Sequence, residues 1–346
     1  SAATGALALC IVPLSILSER FGRGRLLVIS AVLATILAFA VPLVGENVLA
    51  IIAVRALQGA VLAGAPAVAR AGWSEELDED ILPRAMGLYI AGNTLGGIAG
   101  RLIPTGLLDF TGWRGALLGS AAVSAIFAIL FVILLPKQEN FRPKKLHFKA
   151  EIRAMINHWR NLELGLLFLF AFLGMGAFVS MYNFITFRLI HHFGLPVTLT
   201  GLVFLMYLAG TWSSARVGTI INKYGHSKTF VVSAMLYALG IVMTLGPLPV
   251  LLAGMFIFTA GFFAAHSTAS GWVGQAAATN RAEASSMYLL CYYAGSSAVG
   301  AASGLVFEAT SWTGFIAFIS CFTVAVILIG AWLLKSTSRV KEPVAV

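Results

Sequence analysis

Residues 15–25 read SILSERFGRGR, a short basic stretch that separates an apolar run over residues 1–18 from another over residues 25–45. The same alternation, a long apolar run followed by a short polar connection, continues along the whole chain. A helix that crosses a bilayer needs about 20 mostly apolar residues. Only helices and closed barrels satisfy their backbone hydrogen bonds within lipid. The pattern therefore predicts an all-α integral membrane protein.

The composition excludes a soluble domain. Of the 346 residues, 59% are hydrophobic and 11% are charged, and the mean hydropathy is +0.90. Soluble domains carry roughly 25% charged residues, so most of the outer surface must face lipid. The formal net charge of +9 does not indicate nucleic acid as a partner, because the basic residues stand between the apolar runs.

Eleven runs are predicted to span the membrane, and one long connection divides them. Short connections, such as residues 45–47, make consecutive spans antiparallel. The long basic connection, residues 137–162, separates an N-terminal bundle of five spans, residues 1–136, from a C-terminal bundle of six spans, residues 163–346. The predicted runs are 1–18, 25–45, 48–70, 84–108, 114–136, 163–188, 198–221, 229–246, 249–273, 284–307 and 313–334.

Consecutive connections between the spans alternate between the two sides of the membrane, and most of the 23 basic residues lie in connections on the same side. Basic residues in short loops mark the cytoplasmic side, so the C-terminus is predicted to be cytoplasmic, in a bacterial inner (plasma) membrane. The chain begins at Ser1, and eleven spans would leave its N-terminus outside. We therefore expect that a first helix is missing and that the full protein has twelve spans. The long connection contributes Lys137, Arg142, Lys144, Lys145, Lys149, Arg153 and Arg160 to the basic side.

Two pairs of matching stretches indicate duplicated halves. At an offset of 199 residues, the connection after residues 84–108 matches the connection after residues 284–307. Residues 15–25 also match residues 218–228, GTIINKYGHSK, with Gly22 on Gly225. Internal repeats of this kind are common in transporter folds. The matched pairs at the first offset are Gly96 and Gly295, Asp109 and Glu308, Thr111 and Thr310, Trp113 and Trp312, and Gly115 and Gly314.

These motifs resemble the major facilitator superfamily, across essentially the whole chain. SILSERFGRGR is similar to the signature GxLxDRxGRR of that family's cytoplasmic loop between its second and third helices. Arg55, with Gln58 and Gly59, resembles the fourth-helix pattern RxxQG. The loop departs from its signature at Ser15 in place of Gly, Glu19 in place of Asp, and Gly24 within the basic pair.

Three longer stretches narrow the resemblance. Residues 92–101, GNTLGGIAGR, resemble the glycine-rich fifth helix of antiporters, although Arg101 stands where that motif has Pro. With residues 261–274, GFFAAHSTASGWVG, and residues 284–297, ASSMYLLCYYAGSS, they resemble the YnfM-like, or acriflavine-sensitivity, branch. The resemblance implies a major facilitator fold of two related helical bundles, and secondary active transport by alternating access.

The predicted membrane core contains no Asp or Glu, but it does contain arginines. Arg55 and Arg101 are both placed in the outer half of their helices. A cation in hydrocarbon costs at least roughly 2.5–3.5 kcal/mol, so each arginine needs a partner, unless it snorkels to the interface. The expected partner is a carboxylate on the missing helix or an anionic group on the substrate. Both arginines are therefore candidates for substrate binding or proton coupling.

Several other polar side chains lie well inside predicted spans. His266 could relay a proton or bind substrate, because imidazole titrates near neutral pH; a packed, hydrogen-bonded histidine is the alternative. Trp272 is expected to be an anchor at the membrane interface. Buried amides and phenols need hydrogen-bond partners, which either an aqueous cavity or a neighbouring helix supplies. The remaining candidates for the transport site are Asn93, Tyr182, Asn183, Tyr292 and Tyr293.

Two stripes of small residues are expected to let helices approach closely, either as static packing or as a sliding seam. One stripe comprises Gly92, Gly96, Gly97 and Gly100, and the other includes Gly300 and Gly304.

Residues 15–25 also contain a predicted conformational latch. Gly22 permits a tight turn. The family resemblance implies that Glu19 clamps the two halves in the outward-facing state by meeting residues 284–286, and that it is not a substrate ligand. The latch residues are Glu19, Arg20, Gly22, Arg23 and Arg25.

The chain contains no GxxxxGK[ST], HExxH or CxxC motif, so we expect neither an ATP-driven pump nor an enzyme, and no cofactor or metal. We predict a monomeric, proton-coupled exporter of small amphipathic compounds, with the lipid bilayer, a small-molecule substrate and protons as its partners. The alternative is proton- or anion-coupled uptake of a small organic anion held by Arg55 and Arg101. The substrate, direction and stoichiometry stay open at this point.

Overall fold

A computed structural model gives the fold, and the structure describes residues 2–76, 82–141, 143 and 148–340. The described residues form helices joined by short turns, and no strand occurs among them. Arg142, Lys144 and Lys145, which the sequence places on the basic side, lie outside the described residues. The helices are α1 Ala2–Phe21, α2 Arg23–Leu43, α3 Val48–Leu62, α4 Gly64–Glu76, α5 Leu82–Leu134, α6 Phe148–Asn157, α7 Leu162–His191, α8 Val197–Thr200, α9 Tyr207–Tyr224, α10 His226–Met243, α11 Leu248–Ala276, α12 Arg281–Ala309 and α13 Trp312–Val340.

Within the described ranges, ten helical stretches are long and apolar enough to cross a membrane. One of them, residues 92–134, is 43 residues long, about twice what a bilayer requires. The backbone at Gly112 is not helical (φ 66°, ψ 179°), so α5 consists of two successive helices. The structure thereby confirms the predicted helical membrane fold, and Gly112 accounts for the difference between ten stretches and eleven predicted runs.

The ends of the helices follow from local chemistry. The Asn47 side chain accepts a hydrogen bond from the backbone N–H of Ala50 at the start of α3. Asn161 does the same for Glu163 and Leu164 at the start of α7. These caps satisfy N–H groups that have no partner within the helix. Short turns between spans are thus encoded by residues that stop or start a helix.

The two halves repeat the same local geometry at matched positions. The Thr111 hydroxyl donates to the Leu107 carbonyl at 2.8 Å, and the Thr310 hydroxyl donates to the Val306 carbonyl at 2.7 Å. These pairs are related by the offset of 199 residues that the sequence shows. The two glycines at the second matched turn also agree, with φ of 98° at Gly22 and 81° at Gly225. Local backbone geometry therefore repeats where the sequence does.

The chain divides into two compact units. The first comprises Ser1–Ile152 with Val197–Gly201, and the second comprises Arg153–Pro196 with Leu202–Val346. In the first unit, α1 packs on α3 and α2 packs on α5. In the second unit, α7 packs on α12 and α10 packs on α11.

Close packing in the second unit depends on glycines. A Cβ atom on Gly295 of α12 would overlap the carbonyl oxygen of Phe172 on α7. A Cβ on Gly176 of α7 would lie 2.6 Å from the Cβ of Val299. Small residues at such crossings let two backbones approach, which is how helices pack in lipid. The pair Gly176 and Gly295 therefore fixes the spacing of α7 and α12.

Candidate functional site

A half-buried cluster on α11 and α12 surrounds His266 in the second unit. The imidazole Nδ1 lies 2.9 Å from the hydroxyl oxygen of Tyr288, which is fully buried. The ring centroid of Tyr292 is 4.7 Å from that of His266, and Tyr293 is 5.1 Å from Tyr292. Phe262, one turn before His266, stacks on the imidazole at 5.9 Å. The structure thus brings together three of the predicted site residues, His266, Tyr292 and Tyr293.

The chemistry of this cluster combines a titratable ring with aromatic faces. A neutral imidazole has one donor and one acceptor nitrogen, and a phenol hydroxyl can fill either role toward it. A gain or loss of a proton at His266 therefore changes its hydrogen bond with Tyr288. The adjacent phenol and phenyl rings offer faces that attract cations and planar groups. Sequence analysis did not identify Tyr288, although its spacing of four residues from Tyr292 places both on one face of α12.

Tyr182 is packed between helices of the second unit. Its side chain is only 2% exposed, and its hydroxyl lies 2.6 Å from the Thr259 hydroxyl on α11. Because Thr259 donates its own hydrogen to the Met255 carbonyl, Tyr182 is the donor in the bond between the two side chains. The ring stacks on Tyr207 at 4.8 Å. These contacts correspond to the alternative considered above, hydrogen bonding between helices.

Asn183, next to Tyr182 on α7, is half-buried. Its side-chain amide makes no hydrogen bond to another residue in the described part of the chain. An amide with unused donors and acceptors at this depth can bind water or substrate. Its place in a transport site stays a prediction.

Two hydrogen bonds join helices beside the His266 cluster. The Ser267 hydroxyl of α11 donates to the Ser214 hydroxyl of α9 at 2.9 Å. Nearer the end of α11, the Trp272 indole N–H donates to the Glu163 carboxylate of α7 at 2.7 Å. Trp272 is only 6% exposed, so burial and a carboxylate partner fix it inside the second unit, and its predicted place at the membrane interface stays a prediction. Sequence spacing could not reveal this pair, because 109 residues separate its members.

In the first unit, the RxxQG residues form a connected group. The Arg55 guanidinium donates to the Gln58 side-chain oxygen at 3.0 Å, and the Gln58 amide donates to the Ala34 carbonyl on α2 at 3.2 Å. Gly59 lets α3 approach α1, because a Cβ there would overlap the Ala3 carbonyl. The motif therefore does two things: Gly59 and Gln58 set the position of α3, and Gln58 orients Arg55.

Arg55 and Arg101 are near neighbours in this unit. Both side chains are exposed, and their positive charges are close enough to act on each other. Two neighbouring cations together attract an anion. Asn93 lies two turns before Arg101 on α5 and is also exposed. The placement of both arginines at a similar depth in the outer half of the membrane stays a prediction.

The latch residues lie at the turn between α1 and α2. Glu19 forms an ion pair with Arg23 at 3.9 Å, and the buried Arg23 also donates to the Ser18 hydroxyl at 3.2 Å. The positive φ of Gly22 agrees with the predicted tight turn. Arg20 stacks over the ring of Phe21, and Arg25 lines a cavity of about 840 Å³ beside the turn. The expected contact of Glu19 with residues 284–286 stays a prediction.

Two residues that sequence analysis missed tie this turn to the segment after α5. The Gln138 side-chain oxygen accepts a hydrogen bond from the backbone N–H of Gly24 at 2.8 Å. The Glu76 carboxylate at the end of α4 accepts hydrogen bonds from the backbone N–H groups of Glu139 and Asn140, both at 3.1 Å. The turn and the beginning of the linker are therefore one hydrogen-bonded structure.

The two glycine stripes differ in their surroundings. No described atom of the first unit lies within contact distance of a Cβ built at any glycine of the α5 stripe, so close packing there stays a prediction. On α12, Gly300 is buried and Gly304 faces Phe184 at an ordinary 3.7 Å. The tightest approach on α12 occurs instead at Gly295. The α5 stripe comprises Gly92, Gly96, Gly97 and Gly100.

Comparisons with known proteins agree with the fold and the motifs. Residues 1–216 match the model of the Major Facilitator Superfamily. The chain is 38% identical to the inner membrane transport protein YnfM of Escherichia coli (strain K12) over 337 residues, 95% of this chain and 79% of that protein. It is 33% identical to the uncharacterized MFS-type transporter YybF of Bacillus subtilis (strain 168), over 97% of this chain and 83% of that protein.

Solved structures of transporters share the fold. The nucleoside transporter NupG superposes with a TM-score of 0.77 at 17% identity, over 95% of this chain and 89% of that chain. A D-xylose–proton symporter superposes with a TM-score of 0.72 at 16% identity, over 96% of this chain and 85% of that chain.

Proposed function

This chain belongs to the major facilitator superfamily, and on that premise we propose that it is a proton-coupled exporter of small amphipathic compounds. The fold is that of a secondary transporter, and the helices make it a multi-pass membrane protein. The proposal adds proton coupling, substrate class and direction. The single observation that carries it is the hydrogen bond between His266 and Tyr288 inside a half-buried aromatic cluster.

His266 is our candidate for the group that couples transport to protons. Its hydrogen bond to Tyr288 joins α11 to α12, so protonation changes a contact between two helices. Phe262 and Tyr292 pack against the ring, so a protonated imidazole and a cationic substrate on the same aromatic faces would repel each other. A cationic substrate and a proton at His266 would therefore compete for the same site. Such competition is what the exchange of a substrate for a proton across the membrane requires.

The aromatic faces around His266 favour an amphipathic substrate, cationic or planar. Tyr292 and Tyr293 meet nearly at right angles, with 86° between their ring planes. This arrangement presents a ring face and a ring edge together, and a cation over a ring face is stabilised by about 0.5–2 kcal/mol. YnfM, at 38% identity, is named an inner membrane transport protein. We extend that location to this chain, with the basic turn at residues 15–25 and the C-terminus in the cytoplasm.

A second candidate function is uptake of a small organic anion. The specific observation in its favour is the pair Arg55 and Arg101, whose charges act on each other and would both attract a carboxylate or phosphate group. In this case Gln58 orients Arg55 toward the anion. The two candidates predict opposite effects of substitutions at the two clusters.

Reconstituted vesicles with an imposed pH gradient separate the two functions. For the exporter, transport of a planar lipophilic cation such as ethidium follows the gradient, and His266→Gln reduces it to the level without a gradient. Arg101→Gln keeps a substantial part of it. His192→Gln, at an exposed histidine after α7, is the matched control and keeps full transport.

Anion transport that fails with Arg101→Gln but persists with His266→Gln supports uptake instead. Gradient-driven transport of the cation that is equal in wild type and His266→Gln contradicts the proposed role of His266.

A further inference from the structure

An apolar groove of about 430 Å³ runs along the surface of the second unit between α9 and α10, with α11 as its floor. Its volume lies within the roughly 300–1,000 Å³ range of small-molecule pockets. Trp212 forms one wall and is 54% exposed, and Val232 and Leu236 of α10 form the opposite wall and are also exposed. Ala260 and Ala264 of α11 form the floor. All these helices are long and apolar enough to cross a membrane, and the exposed apolar walls favour a groove that opens toward lipid.

The hydroxyl groups in the groove wall use their hydrogens within the protein. Ser213 is placed to donate to the Gly210 and Ala260 carbonyls, both at 2.9 Å. Thr229 donates to the Gly225 carbonyl at 2.8 Å, and Ser233 donates to the Thr229 carbonyl at 2.7 Å. Since each hydroxyl has a single hydrogen, the wall offers few donors to a ligand. The groove is therefore suited to a hydrocarbon chain.

Two cations line the same groove toward the Gly225 turn. Arg216 stacks on the Trp212 ring, with its guanidinium carbon 4.4 Å from the ring centroid. Lys228 lies near the start of α10 and is exposed. No carboxylate among the described residues pairs with either side chain. Arg216 precedes the end of α9 at Tyr224 by eight residues, which corresponds to about 12 Å of helix. A cation at this depth in a span is costly without a polar or anionic partner.

We propose that this groove binds one acyl chain of an anionic phospholipid, with the phosphate at Lys228 and the glycerol ester region at Arg216. The chain fits the apolar walls, the anionic phosphate compensates Lys228, and the ester oxygens accept hydrogen bonds from Arg216. Basic pockets between transmembrane helices on the cytoplasmic side recognise anionic lipid headgroups in this manner. The site lies in the leaflet that meets the Gly225 turn, which is the cytoplasmic leaflet under the orientation proposed above. Lipid binding here is independent of substrate and proton coupling.

Quenching of Trp212 fluorescence by brominated lipids tests the proposal on the full chain in vesicles. The fluorescence of Trp212 is obtained as the difference between the signal of the wild-type protein and that of Trp212→Phe. We expect brominated phosphatidylglycerol, diluted in phosphatidylcholine, to quench it at a several-fold lower mole fraction than brominated phosphatidylcholine does. A basic residue at the headgroup contributes about fivefold, which corresponds to about 1 kcal/mol. Lys228→Gln should therefore reduce the selectivity by about fivefold, whereas Arg216→Gln, at the ester region that both lipids share, should raise the mole fraction that both brominated lipids need by a similar factor.

Two matched controls accompany this experiment. Trp332 on α13 is 41% exposed and lies outside the groove. Its fluorescence, obtained as the difference between wild type and Trp332→Phe, should be quenched equally by both brominated lipids. Lys335→Gln removes an exposed cation from α13 and should leave the selectivity at Trp212 unchanged. Equal quenching of Trp212 by both lipids would overturn the proposal. So would selective quenching that survives the double variant Arg216→Gln, Lys228→Gln.

Discussion

Replacing Gly295 by alanine tests whether direct backbone contact holds α7 and α12 together. The added Cβ would overlap the Phe172 carbonyl oxygen, and a backbone atom cannot rotate away as a side chain would. Overpacking of this kind costs about 1–3 kcal/mol, and we expect the upper part of that range. Alanine also has a higher helix propensity than glycine by about 1 kcal/mol. The net expectation is a loss of about 1–2 kcal/mol in the free energy of unfolding.

Gly271→Ala is the matched control for this prediction. Gly271 is also in the interior of a helix, α11, but a Cβ there meets no described atom within 4 Å. The propensity gain acts alone at this position, so the control should be as stable as wild type, or more stable by up to about 1 kcal/mol. Gly295→Ala should therefore lower the unfolding midpoint, whereas Gly271→Ala should leave it unchanged or raise it.

The assay is denaturant unfolding of the purified full chain in detergent, followed by circular dichroism. Gly176→Ala, at the same helix crossing, should also destabilise. The double variant should cost less than the sum of the single variants, because the first substitution has already separated the helices. If Gly295→Ala and Gly271→Ala have equal stability, backbone contact does not set the spacing of α7 and α12.

Four further substitutions test other parts of the structure, each by the unfolding midpoint of the purified chain. Gly22→Ala and Gly225→Ala should each cost about 1–3 kcal/mol, because both positions have backbone angles that side chains rarely adopt; a neutral result at either turn would count against the repeated geometry. Glu163→Gln should cost about 1 kcal/mol, since a charged acceptor strengthens the hydrogen bond from Trp272; unchanged stability would show that the carboxylate is not its partner. Tyr182→Phe should cost about 0.6 kcal/mol and at most about 1.7 kcal/mol, the range of hydrogen bonds between membrane helices, and should leave transport intact; loss of transport would return Tyr182 to the substrate site.

Most of the fold could be predicted from the sequence because lipid imposes strict rules on it. An apolar run of sufficient length has no alternative to a helix, so the predicted runs and the described helices correspond closely. The turns at Gly22 and Gly225 were also predictable as a pair, since their surroundings match in sequence. Gly112 marks the remaining turn inside a continuous helical stretch.

The candidate site was only partly predictable because its contacts join distant parts of the chain. His266 was identified as a polar residue within an apolar run, but its partner Tyr288 depends on the packing of α11 against α12. The hydrogen bond of Trp272 to Glu163 likewise depends on the position of α7 beside α11. Arg216 was overlooked because its cost within a span becomes apparent only when the groove beside it is known. Local patterns determine helices, whereas the site depends on which helix faces meet.

The central claim is that His266 couples substrate movement to proton movement, and proton flux measures this directly. Vesicles containing the full chain and a pH-sensitive dye would receive a gradient of the lipophilic cation, with the membrane potential held at zero. We predict that substrate movement in one direction drives proton movement in the other, and that His266→Gln abolishes the proton signal while the substrate still equilibrates. Substrate movement with no proton signal in the wild-type protein, or an undiminished signal in His266→Gln, would contradict the claim.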